Sequence, residues 1–226
     1  MASEHTPEEE NRPDAEFTFI DQSRPPERLP IFPLPNVLLL PNMVLPLHIF
    51  EERYKRMISD CLQGERLLGL FLLQRGWEQE GVSPTPYEVG GMGRITRAVR
   101  YPNGSMDILL SGLARVRVLR YLQQKPYLIA EVEMWPDEPD DSEGVEALTR
   151  RMVGLFERFV IAKVGEGHEL LTGLKLLASP IDLLHYVVTN MPLDVHQKQE
   201  IINLRPIDER ITMMITFLNR ELSALK

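Results

Sequence analysis

The sequence predicts an α+β protein: a closed or half-closed β-barrel with one short helix, followed by an α-helical bundle. Three observations predict it. An uncharged apolar run from Leu29 to Phe50, LPIFPLPNVLLLPNMVLPLHIF, is interrupted by five prolines. Stretches of strand length, several with two-residue alternation, fill the region from Leu67 to Trp135. From Val145 onward, apolar residues recur at helical spacing.

The first 28 residues hold eight acids against three arginines and few large apolar side chains, so a disordered acidic tail is expected there. The Leu29–Phe50 run is as long as a membrane span, which needs about 20 residues. Pro30, Pro33, Pro35, Pro41 and Pro46 argue against one, because each interior proline costs a helix roughly 3 kcal/mol. The run is therefore expected to form short buried strands joined by proline turns. The opening MASEHTPEEENRPDAE is acidic where a secretory signal would be basic and then apolar, so no such signal is expected.

Phe50, Tyr54, Met57, Ile58, Cys61 and Leu62 share one helical face. Glu51 and Glu52 suit the positive end of that helix, Glu52 and Arg56 stand at ion-pair spacing, and Gly64 suits a left-handed stop. Leu67 to Gln74 reads as a strand buried on both faces, and RGWEQEGVSPTP as a loop. Several antiparallel strands follow. Pro102-Asn103-Gly104 supplies turn chemistry, Met106, Ile108 and Leu110 alternate, and Val116 and Val118 alternate with Arg115 and Arg117. Gly90, Gly91 and Gly93 predict a bulge or a sharp corner.

The pattern turns helical at DEPDDSE, residues 137–143, giving expected domains at 1–28 (tail), 29–137 (barrel) and 138–226 (bundle). Val145, Leu148, Met152, Leu155 and Phe159 form one apolar stripe, and residues from Ile207 to Leu222 form another. Ser179-Pro180 with Asp182 reads as a helix start, and Asp194 with Gln197 as a capping box.

Composition excludes several functions. Residues 29–137 carry twelve basic and eleven acidic side chains, and residues 138–226 ten and fourteen, too balanced for nucleic-acid binding by bulk charge. The single cysteine, Cys61, rules out an internal disulfide and fits a cytoplasmic location. Catalytic patterns fail at required positions. Between Gly167 and Gly173 there is one residue too many for a phosphate loop, and His168-Glu169 meets Thr172 where a second zinc ligand would stand. Gly91-Met92-Gly93 begins a dinucleotide fingerprint but reaches Thr96 at the last glycine position. His185 shares a face with Ile181, Leu184 and Val188, as a packed core histidine does. No catalytic residue, cofactor or metal is expected.

Several segments in order carry a family resemblance: Leu29-Pro30-Ile31-Phe32-Pro33-Leu34, Leu40 to Leu47, Tyr87 to Gly90, Pro102 to Ser105, Ser111 to Val116, and Met191-Pro192-Leu193 with Gln197 to Gln199. Together, over residues 29–222, they resemble the N-terminal substrate-binding domain of the Lon ATP-dependent proteases (peptidase family S16), which also occurs alone in bacteria. The resemblance implies a PUA-like β-barrel followed by a helical bundle. It further implies a non-catalytic module for recognising proteins and peptides, without the ATPase and Ser/Lys protease domains, acting in protein quality control.

The expected partners are unfolded or exposed polypeptide segments, with no membrane. The candidate substrate-binding residues are Glu52, Arg53 and Arg56 on the short helix and Trp77 in its polar loop, where an aromatic is a candidate ligand anchor. The structural alternative is that Trp77 folds back to cover the barrel. Two other readings compete. One is RNA binding, if Arg94, Arg97, Arg100, Arg115, Arg117 and Arg120 converge. The other is an adaptor or assembly role beside a separate protease or ATPase.

Overall fold

The structure, a computed structural model, describes residues 8–9, 25–79, 84–138, 140 and 142–225. Apart from Glu8–Glu9 and residues 25–28, the expected disordered tail lies outside the described residues. The chain divides into two compact units, Met1–Trp135 and Pro136–Lys226.

The first unit is a seven-stranded mixed sheet with one helix. Its strands are β1 (Glu8–Glu9), β2 (Leu29–Leu34), β3 (Val44–Ile49), β4 (Leu67–Leu72), β5 (Val89–Arg100), β6 (Met106–Gln123) and β7 (Leu128–Met134). Their order is β1-β5-β4-β2-β7-β6-β3, and a further β5–β6 pairing joins five of them, β5, β4, β2, β7 and β6, into a closed ring. Only β2 and β4 run parallel. Closure removes most of the exposed edges that an open sheet leaves. The helix α1 (Glu52–Gln63) crosses between them in sequence and buries Tyr54, Met57, Ile58 and Cys61 against a core that includes Phe32, Leu68, Leu70, Ile95 and Ile108.

The opening run forms β2, a connecting stretch and β3. The connection lies on sheet backbone: the Asn42 amide donates to the Gly112 carbonyl (3.1 Å), and the Gly112 amide donates to the Met43 carbonyl (2.8 Å). This close approach explains two glycines. A Cβ on Gly91 would stand 2.1 Å from the Leu39 carbonyl oxygen, and one on Gly112 2.0 Å from that of Leu40.

As the sequence reading expects, β4 is buried along its whole length, and Gly90 to Gly93 adjoin a bulge between Met92 and Gly93. Three details differ. Gly64 closes α1 with a negative φ of −106°, and the left-handed residue is Arg66 (φ 61°), whose amide caps the Cys61 carbonyl at 3.0 Å. Glu52 accepts from Lys55 at 2.9 Å, one residue short of the Arg56 spacing. Arg115 is buried rather than outward, because the bulge leaves Leu113 as an extra residue on β6 and shifts the alternation.

The second unit is helical: α2 (Glu143–Val164), α3 (Glu169–Leu174), α4 (Pro180–Asn190), α5 (Val195–Asn203) and α6 (Ile207–Ser223). Ser142 caps α2, Pro180 occupies the first turn of α4, and Asp194 and Gln197 form the reciprocal capping box of α5. Val145, Met152, Leu155 and Phe159 are buried, as are Ile207, Ile211, Met214, Ile215 and Leu218.

Inside this unit lies a charged group. Arg210 is fully buried and donates to the Asp137 carboxylate, to the Ile201 carbonyl (3.2 Å) and to His185 Nε2 (3.0 Å). A guanidinium has no lone pair to offer, so His185 accepts through Nε2 and carries its proton on Nδ1. His185 is thus a core residue with a polar partner. No described helix is long and apolar enough to cross a membrane.

Candidate functional site

Ring closure brings separate parts of the first unit to one cleft of about 410 Å³. One wall comes from the end of β2, with Pro33, Leu34 and Pro35. The start of α1 contributes Glu51, Arg53 and Tyr54. The stretch after β4 contributes Leu73, Trp77 and Pro84, and the β6–β7 connection contributes Gln124, Pro126, Tyr127 and Leu128. Apolar surface predominates in its lining, with Glu51, Arg53, Trp77, Gln124 and two tyrosines adding polar groups, a mixture found in binding sites.

The charges at this cleft are mutually compensated. Arg53 donates to Glu51 through Nε (2.9 Å) and Nη2 (2.8 Å), and its guanidinium stacks 4.5 Å from the Tyr54 ring centre. Tyr54 in turn packs on Phe32 at 4.5 Å. The Tyr127 hydroxyl donates to Asp60 at 2.6 Å, and burial together with that bond pushes its pKa up to about 12. Burial also raises the Tyr54 pKa. Both phenols therefore stay neutral at ordinary pH. Trp77 is half-buried, and its indole N–H is a donor within the same lining as Gln124 and Arg53. Such a site can hold apolar side chains and hydrogen-bond to backbone carbonyls.

Of the four residues singled out from sequence, the structure brings Arg53 and Trp77 together in this cleft. Glu52 and Arg56 are exposed on α1 outside its lining. Sequence reasoning missed Glu51, Tyr54 and Tyr127, and also the prolines. Their signal was present only as scattered turn residues, since positions 33, 84 and 126 become neighbours through the closed ring.

A second concavity, about 480 Å³, lies on one face of β3, β6 and β5. Pro46 and His48, Leu109 and Asp107, and Arg97 and Val99 line it in matching register. Asp107 accepts from Tyr101 (2.6 Å) at one oxygen and bonds His48 Nδ1 (2.6 Å) at the other, which holds its pKa below the usual carboxylate range.

Three of the strand arginines are buried or paired. Arg115 is buried, Arg117 pairs with Glu133 and stacks on Trp135, and Arg120 pairs with Glu131 at 2.5 Å. The near-motifs also have structural roles. His168 Nδ1 caps α3 by accepting from the Leu170 amide (3.2 Å), and Gly91-Met92-Gly93 lies within β5 with no helix start beside it. Cys61 is buried, and burial foremost raises its pKa to about 12, so its thiol is not a nucleophile at neutral pH. Among the described residues no group of three His, Cys, Asp or Glu side chains is arranged to hold a metal ion.

Comparison with known proteins follows the same outline. The family model described as the ATP-dependent protease La (LON) substrate-binding domain matches residues 28–220. The Lon protease of Dictyoglomus thermophilum is 30% identical over 204 residues, covering 89% of this chain and 25% of that protein. The Lon protease of Koribacter versatilis is 30% identical over 207 residues, covering 90% and 25%. The chain thus spans about a quarter of the length of these relatives. Among solved structures, the N-terminal domain of a Mycobacterium avium complex Lon protease superposes with a TM-score of 0.68 at 18% identity, covering 85% of this chain and 98% of that one. A Lon N-terminal domain protein from Xanthomonas campestris gives 0.63 at 23% identity, covering 84% and 97%. These two share the fold.

Proposed function

The chain belongs to the Lon substrate-binding domain family, and from that premise we propose that it is a non-catalytic polypeptide-binding module whose site is the Arg53–Trp77 cleft. The observation that carries this reading is the convergence of Arg53 and Trp77, 24 positions apart in sequence, on an apolar cavity of about 410 Å³. Its clients are unfolded or exposed polypeptide segments. Apolar side chains of the client fill the space between the prolines and leucines, and the indole and amide donors meet its carbonyls.

The role we infer is capture without chemistry. The setting we infer is protein quality control in the cytoplasm, in keeping with a lone buried thiol. An adaptor role beside a separate protease or ATPase is compatible with capture at the same cleft. RNA binding is disfavoured by the burial of Arg115 and the glutamate partners of Arg117 and Arg120.

The test is a peptide array of unfolded-protein segments probed with wild type, Trp77→Ala and Arg53→Ala. Apolar peptides should bind wild type and lose most of their signal with Trp77→Ala. Equal signals from all three proteins would remove the cleft from consideration.

A further inference from the structure

β5 runs for 12 residues, but β4 covers only its first part. The β4 pairing ends at Arg94, opposite Leu67, and the next amide, that of Ile95, is taken by the Arg66 carbonyl at 2.9 Å. From there to Arg100, β6 holds one edge of β5, and no strand of the closed ring holds the other. An uncovered edge offers a row of backbone donors and acceptors to any extended chain.

The side chains around this edge select by charge. Arg97 and Arg100 are exposed on it, and Arg97 also borders the concavity that holds His48. The one acid lining that concavity, Asp107, has both oxygens engaged by His48 and Tyr101. Two exposed guanidinium groups thus stand on this edge in a chain of net charge −8.

A strand is already seated there. β1 pairs antiparallel with β5, setting Glu8 opposite Arg100 and Glu9 opposite Val99. It comes from an acidic stretch of the sequence, HTPEEENR, and the register sets an acidic position opposite a basic one. We propose that the β5 edge from Thr96 to Arg100 is a strand-addition site for acidic, extended polypeptide segments, filled in cis by the chain's own Glu8–Glu9. A segment from another polypeptide enters only by displacing them. The site shares no residue with the Arg53–Trp77 cleft and stands or falls apart from it.

The test uses the full chain as wild type, Glu9→Pro and the triple variant E8K/E9K/E10K, with amide hydrogen exchange followed by NMR. Proline removes a ladder donor and lysine reverses the charge. The expected result is at least tenfold faster exchange in both variants for amides between Ala98 and Tyr101 that face away from β6, with Gly91 to Arg94 unchanged.

A labelled peptide HTPEEENR should then bind Glu9→Pro at least tenfold more tightly than wild type, and HTPKKKNR should bind neither. Unchanged exchange at Ala98 to Tyr101 in the variants would overturn the proposal. So would equal binding of the acidic peptide to wild type and Glu9→Pro, no binding to Glu9→Pro, or equal binding of the lysine peptide.

Discussion

The two units are held in shape by different means. On the barrel strands, Arg97, Arg100 and Arg120 are exposed, and Arg117 and Arg120 meet glutamates on β7. In the helical unit, Arg210 is fully buried and gathers Asp137, His185 and the Ile201 carbonyl around itself. The barrel's shape is set instead by steric fit, with Leu39 and Leu40 lying on Gly91 and Gly112. Polar groups locked inside serve the fold. On the function proposed above, recognition falls to the barrel unit's surface, and residues that matter for binding separate from residues that matter for stability.

The largest effect should come from Arg210→Ala. It leaves the Asp137 carboxylate without its buried cation, a change that costs about 3–5 kcal/mol. Denaturant unfolding should show this loss in the helical unit's transition while peptide binding by the folded protein is retained. Next comes Gly112→Ala, whose added Cβ meets the Leu40 backbone rather than a flexible side chain. About 3 kcal/mol of barrel stability should be lost, the upper end for overpacking, as measured by thermal unfolding.

Trp77→Ala should give the reverse pattern, weakening client binding by about 2 kcal/mol, or roughly 30-fold, with stability changed by no more than about 0.5 kcal/mol. A fluorescence anisotropy titration beside a melting curve checks both halves. Arg120→Ala should do least. Its Glu131 pair is exposed, so a stability change of about 1 kcal/mol or less is expected, shrinking further in high salt.

The sequence legibly reports structure where one period governs a segment. Proline spacing in the Leu29–Phe50 run, alternation in β6 and the helical stripes of α2 and α6 each reflect local geometry, and the elements form there. Legibility stops where distant segments meet. Arg210 stands on the apolar stripe of α6 between Ile207 and Ile211, so its spacing was a usable sign of burial, but its partner Asp137 sits in an acidic stretch that reads as solvated.

The burial of Arg115 depended on one extra residue at Leu113, which no alternation count anticipates. Trp77 and Arg53 were recognisable as candidates one at a time. Their common cleft depends on the closure of the ring, and the proline walls at positions 33, 35, 84 and 126 come from β2 and three different connections.

The most direct test of recognition at the barrel surface uses Trp77 as its own reporter. Trp77 and Trp135 are the two tryptophans of the chain, so Trp135→Phe leaves the cleft indole as the sole emitter. Titration of this variant with an unfolded apolar polypeptide should shift its emission to shorter wavelength in a saturable way, as the half-exposed indole is covered. Binding detected by anisotropy of a labelled polypeptide with no change in Trp77 emission would contradict the assignment and place the client elsewhere.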